Sequence, residues 1–249
     1  MTICNLLLQK FHYGDIINFR REVSIMKNRE IIVLDLEFNP VFDPEIKPEI
    51  CNEIIEIGAV KLDSSLNICD RFDIYIKPVH NEITPIITSI TGITNETVSS
   101  SPSFEEAMSS FSEWAGDSPR FYTWSDTDRN VLLPEMKFKL DENDPLFDKF
   151  SGYWVDLQRL FGKIMGLRKS MGLSNALGVM EIEFSGTEHG ALADAENTAL
   201  VLKILRDKPT IKKLKARTTV TFNKSTSSGG FAVGNLFADQ LSKLKFNDE

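Results

Sequence analysis

Four apolar residues, Ile31-Ile32-Val33-Leu34, run directly into Asp35-Leu36-Glu37. A short β-branched run of this kind predicts a buried strand over about Glu30–Phe38. In a strand, residues i and i+2 point to the same face, so Asp35 and Glu37 stand side by side at the end of a buried run. Two carboxylates held that close repel each other and lose hydration, so a compensating charge is required. A divalent cation suits them, because hard cations take oxygen ligands. The plainer reading is a strand end that reaches solvent, where acids are ordinary. Other residues must decide between the two.

The 249 residues suffice for one sizeable domain with tails. The formal net charge of −8 argues against broad phosphate neutralisation by the surface, so contact with nucleic acid would depend on metal ions, stacking or a local basic patch. The three cysteines, Cys4, Cys51 and Cys69, fit neither a zinc motif nor a disulfide framework, which favours a reducing, cytoplasmic setting. No apolar run approaches the roughly 18 residues of a membrane span. Residues 1–29 carry no signal-peptide pattern and read as an N-terminal appendage, with Met26 an alternative start.

A Pro-rich connection holding Pro40, Pro44 and Pro48 follows the first strand. Ile54–Leu62 reads as strand two, 63–67 as a hairpin loop and Ile68–Lys77 as strand three, an antiparallel meander. Thr84–Ile90 reads as helical with Pro85 in the first turn, Gly92 as its break, and Thr94 as the cap of a short turn. Ser103 and Glu106 spell a capping box for a helix over Phe104–Ala115. Arg120–Ser125 reads as a strand, and the helix opened by Asp126-Thr127-Asp128 runs to about Met136. A polar loop spans Asp141–Asp148. Tyr153–Leu157 reads as a fifth strand running into a helix that ends near Gly166. Ser174 caps a short helix to Met180, and the last helix is Ala191–Leu205. The expected architecture is therefore α/β, a mixed sheet with helices on its faces. The globular domain spans 30–206. The C-terminal tail, 207–249, comprises a basic segment over Lys208–Arg217, a Ser/Thr/Gly-rich linker and a short amphipathic stretch from Val233 to Leu244.

Three further residues invite chemistry. Asp128 opens a helix after an aromatic strand, Asp194 lies in the first turn of the last helix, and His189 precedes it by five residues in a glycine-bearing loop. Each also has an ordinary role: a helix cap, a dipole-complementing acid, and a surface histidine. What distinguishes the set is its order along the chain, after the strand-borne Asp-x-Glu.

In that order the chain resembles the DEDDh family of 3′–5′ exonucleases. The segments carrying the resemblance are Asp35-Leu36-Glu37, the strand Glu53-Ile54-Ile55-Glu56-Ile57-Gly58-Ala59-Val60, Thr91-Gly92-Ile93-Thr94, Trp124-Ser125-Asp126-Thr127-Asp128, and His189-Gly190-Ala191-Leu192-Ala193-Asp194. They cover about residues 30–206. "DLEFN" and the Trp-bearing motif look more like the histone-mRNA exonuclease and sporulation-inhibitor branch than like a polymerase proofreading subunit.

The resemblance implies a ribonuclease-H-like fold with a five-stranded sheet, its first three strands antiparallel. It also implies metal-dependent 3′–5′ hydrolysis of single-stranded nucleic acid, RNA before DNA, with release of nucleoside monophosphates. Asp35, Glu37, Asp128 and Asp194 would bind two Mg²⁺ or Mn²⁺ ions, and His189 would be the general base. Spacing to the following helix favours Asp128, with Asp126 as the alternative. Phe38 stands where the family often has Thr. Phe38 and Ile93 are candidate contacts to the last nucleotide, with core packing an equal alternative. The competing functions are a DNA-directed proofreading exonuclease and a non-catalytic nucleic-acid-binding member of the same fold. The sequence leaves the oligomeric state open.

Overall fold

A computed structural model describes residues 30–140, 144–167 and 169–216. The chain divides into two compact units, Met1–Arg206 and Asp207–Glu249. In the second unit, the described residues 208–216 are helical, within the basic segment. The N-terminal appendage, the linker and the amphipathic C-terminal stretch lie outside the described residues.

The first unit is built on β1 (Ile31–Pro40), β2 (Asn52–Leu62), β3 (Ile68–Tyr75), β4 (Arg120–Thr123) and β5 (Tyr153–Asp156), in the order β3-β2-β1-β4-β5. β1 pairs antiparallel with β2, and β2 with β3, while β4 runs parallel to β1 and β5 parallel to β4. The sheet is the mixed five-stranded one expected, with the antiparallel meander first. Its helices are α1 (Pro85–Thr91), α2 (Asn95–Val98), α3 (Phe104–Ala115), α4 (Thr127–Lys139), α5 (Pro145–Phe150), α6 (Leu157–Met165), α7 (Leu173–Val179) and α8 (Ala191–Arg206).

Strand alternation sorts β1 between two layers. Ile32, Leu34 and Leu36 enter the main core with Phe104, Phe111, Leu132 and Met136 of α3 and α4. Asp35 and Glu37 face the other way, toward α8, which lies against β1, β2 and β3. The expected caps form. The Thr84 hydroxyl accepts from Ile87 N–H at 3.3 Å, Gly92 closes α1 at φ 77°, and Ser103 and Glu106 exchange bonds at the start of α3.

Among the boundaries that differ from expectation are three in the second half of the chain. The loop expected over Asp141–Asp148 contains the start of α5. The Asp144 side chain caps it by accepting from Leu146 N–H at 2.8 Å, Pro145 suits a first turn, and fully buried Phe150 anchors it to the core. α7 starts one residue before Ser174, with Gly172 at its N-cap. α4 continues through Pro134 to Lys139. Beyond the proline, the Glu135 carboxylate accepts from Ile54 N–H at 2.8 Å. Lys139 bridges Glu135 at 2.7 Å and Glu53 at 2.8 Å, a buried ion network that pins the end of the helix to β2. No helix of the described residues is long and apolar enough to cross a membrane.

Candidate active site

The site is assembled from β1, the first turn of α4 and the first turn of α8. β1 presents Asp35 and Glu37 on its α8 face. Opposite them on β2, in register, stand Gly58 and Glu56. A Cβ added at Gly58 would lie 2.0 Å from Leu192 N and 2.1 Å from the Ala191 carbonyl carbon, so the start of α8 rests on the bare backbone of β2. Only glycine permits that approach.

Glu56 provides a second tie. It is 4% exposed and accepts from Ala191 N–H at 3.2 Å. Burial pushes its carboxyl up to about 7, with the Ala191 N–H pulling down and neighbouring Asp73 pushing up.

The loop before α8 is fixed from the helix side. The Asn197 amide donates to the carbonyls of Ser185 and Ala193, both at 2.8 Å, and accepts from Ser185 N–H at 3.1 Å. His189 adopts φ 63°, uncommon for a residue with a side chain, and its N–H donates to Asp194 Oδ2 at 3.1 Å. The Asp194 carboxylate is thereby turned back toward the loop, while its own N–H continues the helix to Gly190 O.

Asp128 and Asp126 are separated clearly. Asp128 is 5% exposed, and its Oδ1 accepts from Leu36 N–H at 3.1 Å, between the two acids of β1. Asp126 is exposed at the N-cap position and makes no side-chain cap bond.

The resulting cluster is electrostatically unstable by itself. Burial, and then the nearby Asp128, Asp194 and Glu37, raise Asp35 well above the carboxylate range. Burial followed by Asp194, Glu56 and Asp128 pushes Glu37 up to about 8. Burial pushes Asp128 up to about 7, with Asp194 and Asp126 adding to it and the backbone bonds opposing. Asp194 is raised by burial, against the lowering effect of His189. No lysine or arginine of the described residues forms an ion pair with any of these four. An all-oxygen donor set with repelling charges fits divalent cations, which would restore the carboxylates to their ionised form. One ligand atom each from Glu37, His189 and Asp194 lie within 4.8 Å of one another.

A cavity of about 360 Å³ opens on the cluster, lined by Asp35, Asp194, His189, Glu188, Trp124 and the 172–175 turn. Trp124 holds that turn in place, since its indole N–H donates to Met171 O at 3.1 Å and Gln158 Nε2 donates to the same carbonyl at 2.8 Å.

Of the residues picked out in the sequence, Asp35, Glu37, Asp128, His189 and Asp194 converge. Phe38 and Ile93 do not line this cavity. Phe38 is half-buried against the α3–α4 core, because the alternation that sends Asp35 and Glu37 to one face sends Phe38 to the other. Ile93 is 3% exposed, in a small cluster with Ile55, Ile83 and Val98. The residues that sequence reasoning passed over as site-builders are Glu56 and Gly58. Their signal was a charged and a side-chain-free position, two apart, inside an otherwise apolar strand.

The Exonuclease family model matches residues 32–202. ERI1 exoribonuclease 2 of Mus musculus is 33% identical over 217 residues, which cover 76% of this chain and 30% of that protein. ERI1 exoribonuclease 3 of Homo sapiens is 30% identical over 194 residues, covering 74% of this chain and 56% of that protein. The chain thus spans between about a third and about half of the length of these relatives. The nuclease domain of 3′hExo, a DEDDh family member solved bound to rAMP, has the same fold. It superposes with a TM-score of 0.63 at 23% identity, over 74% of this chain and 94% of that one. A family match across most of the first unit, on a ribonuclease-H-like sheet with convergent acids, places this chain in the Exonuclease family.

Proposed function

We propose that the chain is a metal-dependent 3′–5′ exoribonuclease that removes nucleoside monophosphates from the 3′ end of single-stranded RNA. The observation that carries this reading is the meeting of four carboxylates, from β1, α4 and α8, none of them in an ion pair with a lysine or arginine among the described residues. Two Mg²⁺ or Mn²⁺ ions, when bound, would polarise the scissile phosphate, acidify the attacking water and offset charge on the leaving oxygen.

The protein's own residues do the rest. Asp35, Glu37, Asp128 and Asp194 would hold the ions, with Asp35 and Asp194 lining the cavity. Asp128 is kept rigid by Leu36 N–H, and Asp194 by the N–H of His189. His189 takes the proton of the attacking water on its imidazole. Imidazoles titrate near neutrality, and the loop position lets this one reach the water while Asp194 stays on its helix. The cavity beside Trp124 and the 172–175 turn receives the terminal nucleotide. RNA is placed ahead of DNA because the relatives at 33% and 30% identity are named exoribonucleases. A cytoplasmic setting accompanies the proposal, on the strength of the exposed free thiols Cys51 and Cys69.

The test is a gel of matched 5′-labelled single-stranded RNA and DNA with Mg²⁺, Mn²⁺ or EDTA. The expected result is a one-nucleotide ladder from the 3′ end, faster on RNA and absent in EDTA. Faster trimming of DNA would replace the substrate with DNA, and products that persist in EDTA would remove the metal.

A further inference from the structure

The cavity beside the convergent acids is lined by one more carboxylate, Glu188, together with Trp124, Leu173, Ser174 and Asn175. Glu188 is exposed, and its carboxylate neither joins an ion pair nor accepts a hydrogen bond among the described residues. It also stands outside the group of ligand atoms formed by Glu37, His189 and Asp194. We propose that Glu188 accepts a hydrogen bond from the 2′-hydroxyl of the terminal ribose and thereby selects RNA ends over DNA ends. The inference rests on the nuclease reading given above and deepens it.

The backbone on both sides of Glu188 is fixed. Ser185 exchanges two bonds with the Asn197 side chain, at 2.8 and 3.1 Å. Gly186, at φ 91°, lies so close to α8 that a Cβ added there would stand 3.0 Å from Ala193 Cβ. Gly190 N–H closes a turn on Thr187 O at 3.3 Å, and His189 N–H bonds to Asp194 Oδ2 at 3.1 Å. Glu188 is therefore carried on a turn anchored to α8, with its carboxylate left over for a ligand. An acceptor held in this way is positioned before the ligand arrives.

The chemistry of the cavity narrows what that ligand group can be. An ionised carboxylate is an acceptor only. Beside a nucleotide it repels the phosphate oxygens and is satisfied only by a donor. The ribose 2′-hydroxyl is such a donor, and it is the group by which a protein tells RNA from DNA at a given position. Dinucleotide-binding folds pair an acidic side chain with a ribose 2′-hydroxyl for the same reason. The base amino groups are the competing donors, but Trp124 and Leu173 give the base an apolar surface to lie on, which is indifferent to sequence. A deoxyribose end presents C–H to Glu188, so it loses a charge-assisted bond and leaves the carboxylate unsatisfied.

The experiment compares kcat/KM for removal of the last nucleotide from RNA oligonucleotides identical except at the terminal sugar, which is ribose, 2′-deoxyribose or 2′-fluororibose. The full chain, Glu188→Ala and Glu188→Gln are assayed in Mg²⁺, with circular dichroism to establish that all are folded. Wild type is expected to favour the ribose end by at least about tenfold. The 2′-fluoro end, which can accept but not donate, should follow the deoxy end. Glu188→Ala is expected to bring the ribose-to-deoxy ratio within about twofold, and Glu188→Gln, which keeps a neutral acceptor oxygen, should fall between. Mg²⁺ affinity, measured by calorimetry, should match wild type in both variants. A ribose preference that survives in Glu188→Ala, or one that is absent from wild type, overturns the inference and leaves the nuclease reading intact. So does a loss that follows the terminal base rather than the sugar, or a fall in Mg²⁺ affinity that would make Glu188 a metal ligand. Failure of wild type to trim any of the three ends overturns both.

Discussion

Asp35 and Gly58 face each other across the antiparallel pair of β1 and β2, and the missing side chain at Gly58 is what brings α8, with Asp194, up to Asp35. A Cβ at that position would meet backbone atoms of Ala191 and Leu192 that cannot rotate away. Gly58→Ala should therefore displace the start of α8. The expected cost is about 1–3 kcal/mol of stability, as for other overpacked sites. Activity should fall by at least about tenfold, because a shift of about 1 Å in a positioned group is enough for a larger loss. Thermal melts and RNA trimming rates measured on one preparation test this. An unchanged rate would show that α8 does not need this seat.

Glu56 makes the same contact from the neighbouring position, and its role is separable from its charge. Glu56→Gln keeps an oxygen able to accept from Ala191 N–H, whereas Glu56→Ala leaves that amide buried without a partner. The alanine variant should lose about 1–3 kcal/mol and bind Mg²⁺ more weakly, with the glutamine variant close to wild type. If the glutamine variant behaves like the alanine variant, the carboxylate itself rather than its hydrogen bond is what matters.

The acids of the site give a pH signature. Burial and the neighbouring acids push Glu37 up to about 8, and burial pushes Asp128 up to about 7. Both lie above the unfolded carboxylate values of about 4. Between about pH 4 and pH 8 the folded, metal-free chain holds more protons than the unfolded one, so its stability falls as pH rises through that window. Glu135, also pushed up to about 7 by burial, contributes with the same sign away from the site. Mg²⁺ should reverse only the part that belongs to the site. Melting temperatures in EDTA should drop from pH 5 to pH 8, and the increment from saturating Mg²⁺ should be larger at pH 8. Equal increments at both values would dissociate the raised carboxyls from metal binding.

Neutralising one acid tests the same repulsion at constant pH. Asp194→Asn should raise the melting temperature of the metal-free protein, weaken Mg²⁺ binding and abolish trimming. A melting temperature lowered without metal would mean that the Asp194 carboxylate is structurally favourable, through its bond from His189 N–H, rather than held under strain.

Much of this arrangement is legible in the sequence, for identifiable reasons. Alternation along Ile31–Phe38 is enough to put Asp35 and Glu37 on one face, and the Ser103–Glu106 capping box and Gly92 punctuate the helices that follow. The choice of Asp128 over Asp126 depends on a tertiary contact, the bond from Leu36 N–H, for which helix spacing is only an indirect sign. Phe38 and Ile93, equally open in sequence to nucleotide contact and to core packing, pack against or within core clusters, since an apolar residue beside a site looks the same in sequence whichever layer it enters. Helix α5 was hidden because its brevity and its polar start, Asp144-Pro145, match a loop as well as a cap. Glu56 and Gly58 act through α8, more than 130 residues away, as the Glu56–Ala191 bond at a separation of 135 illustrates. No local pattern reports that distance.

His189 should be separable from the proposed metal ligands by kinetics. His189→Ala is expected to lose about 10²–10⁴-fold in kcat, the usual worth of a positioned base, with Mg²⁺ affinity retained and the acidic limb of the pH–rate profile lost. An unchanged profile at a similar rate would assign the proton to another group.

The decisive comparison is between wild type and Asp35→Asn, purified in parallel and incubated with 5′-labelled single-stranded RNA in Mg²⁺. Wild type should yield a 3′-to-5′ ladder that disappears in EDTA, and the folded Asp35→Asn protein should leave the RNA intact. A ladder of comparable rate from Asp35→Asn, or one from wild type that survives EDTA, would contradict a four-carboxylate metal centre as the seat of the activity.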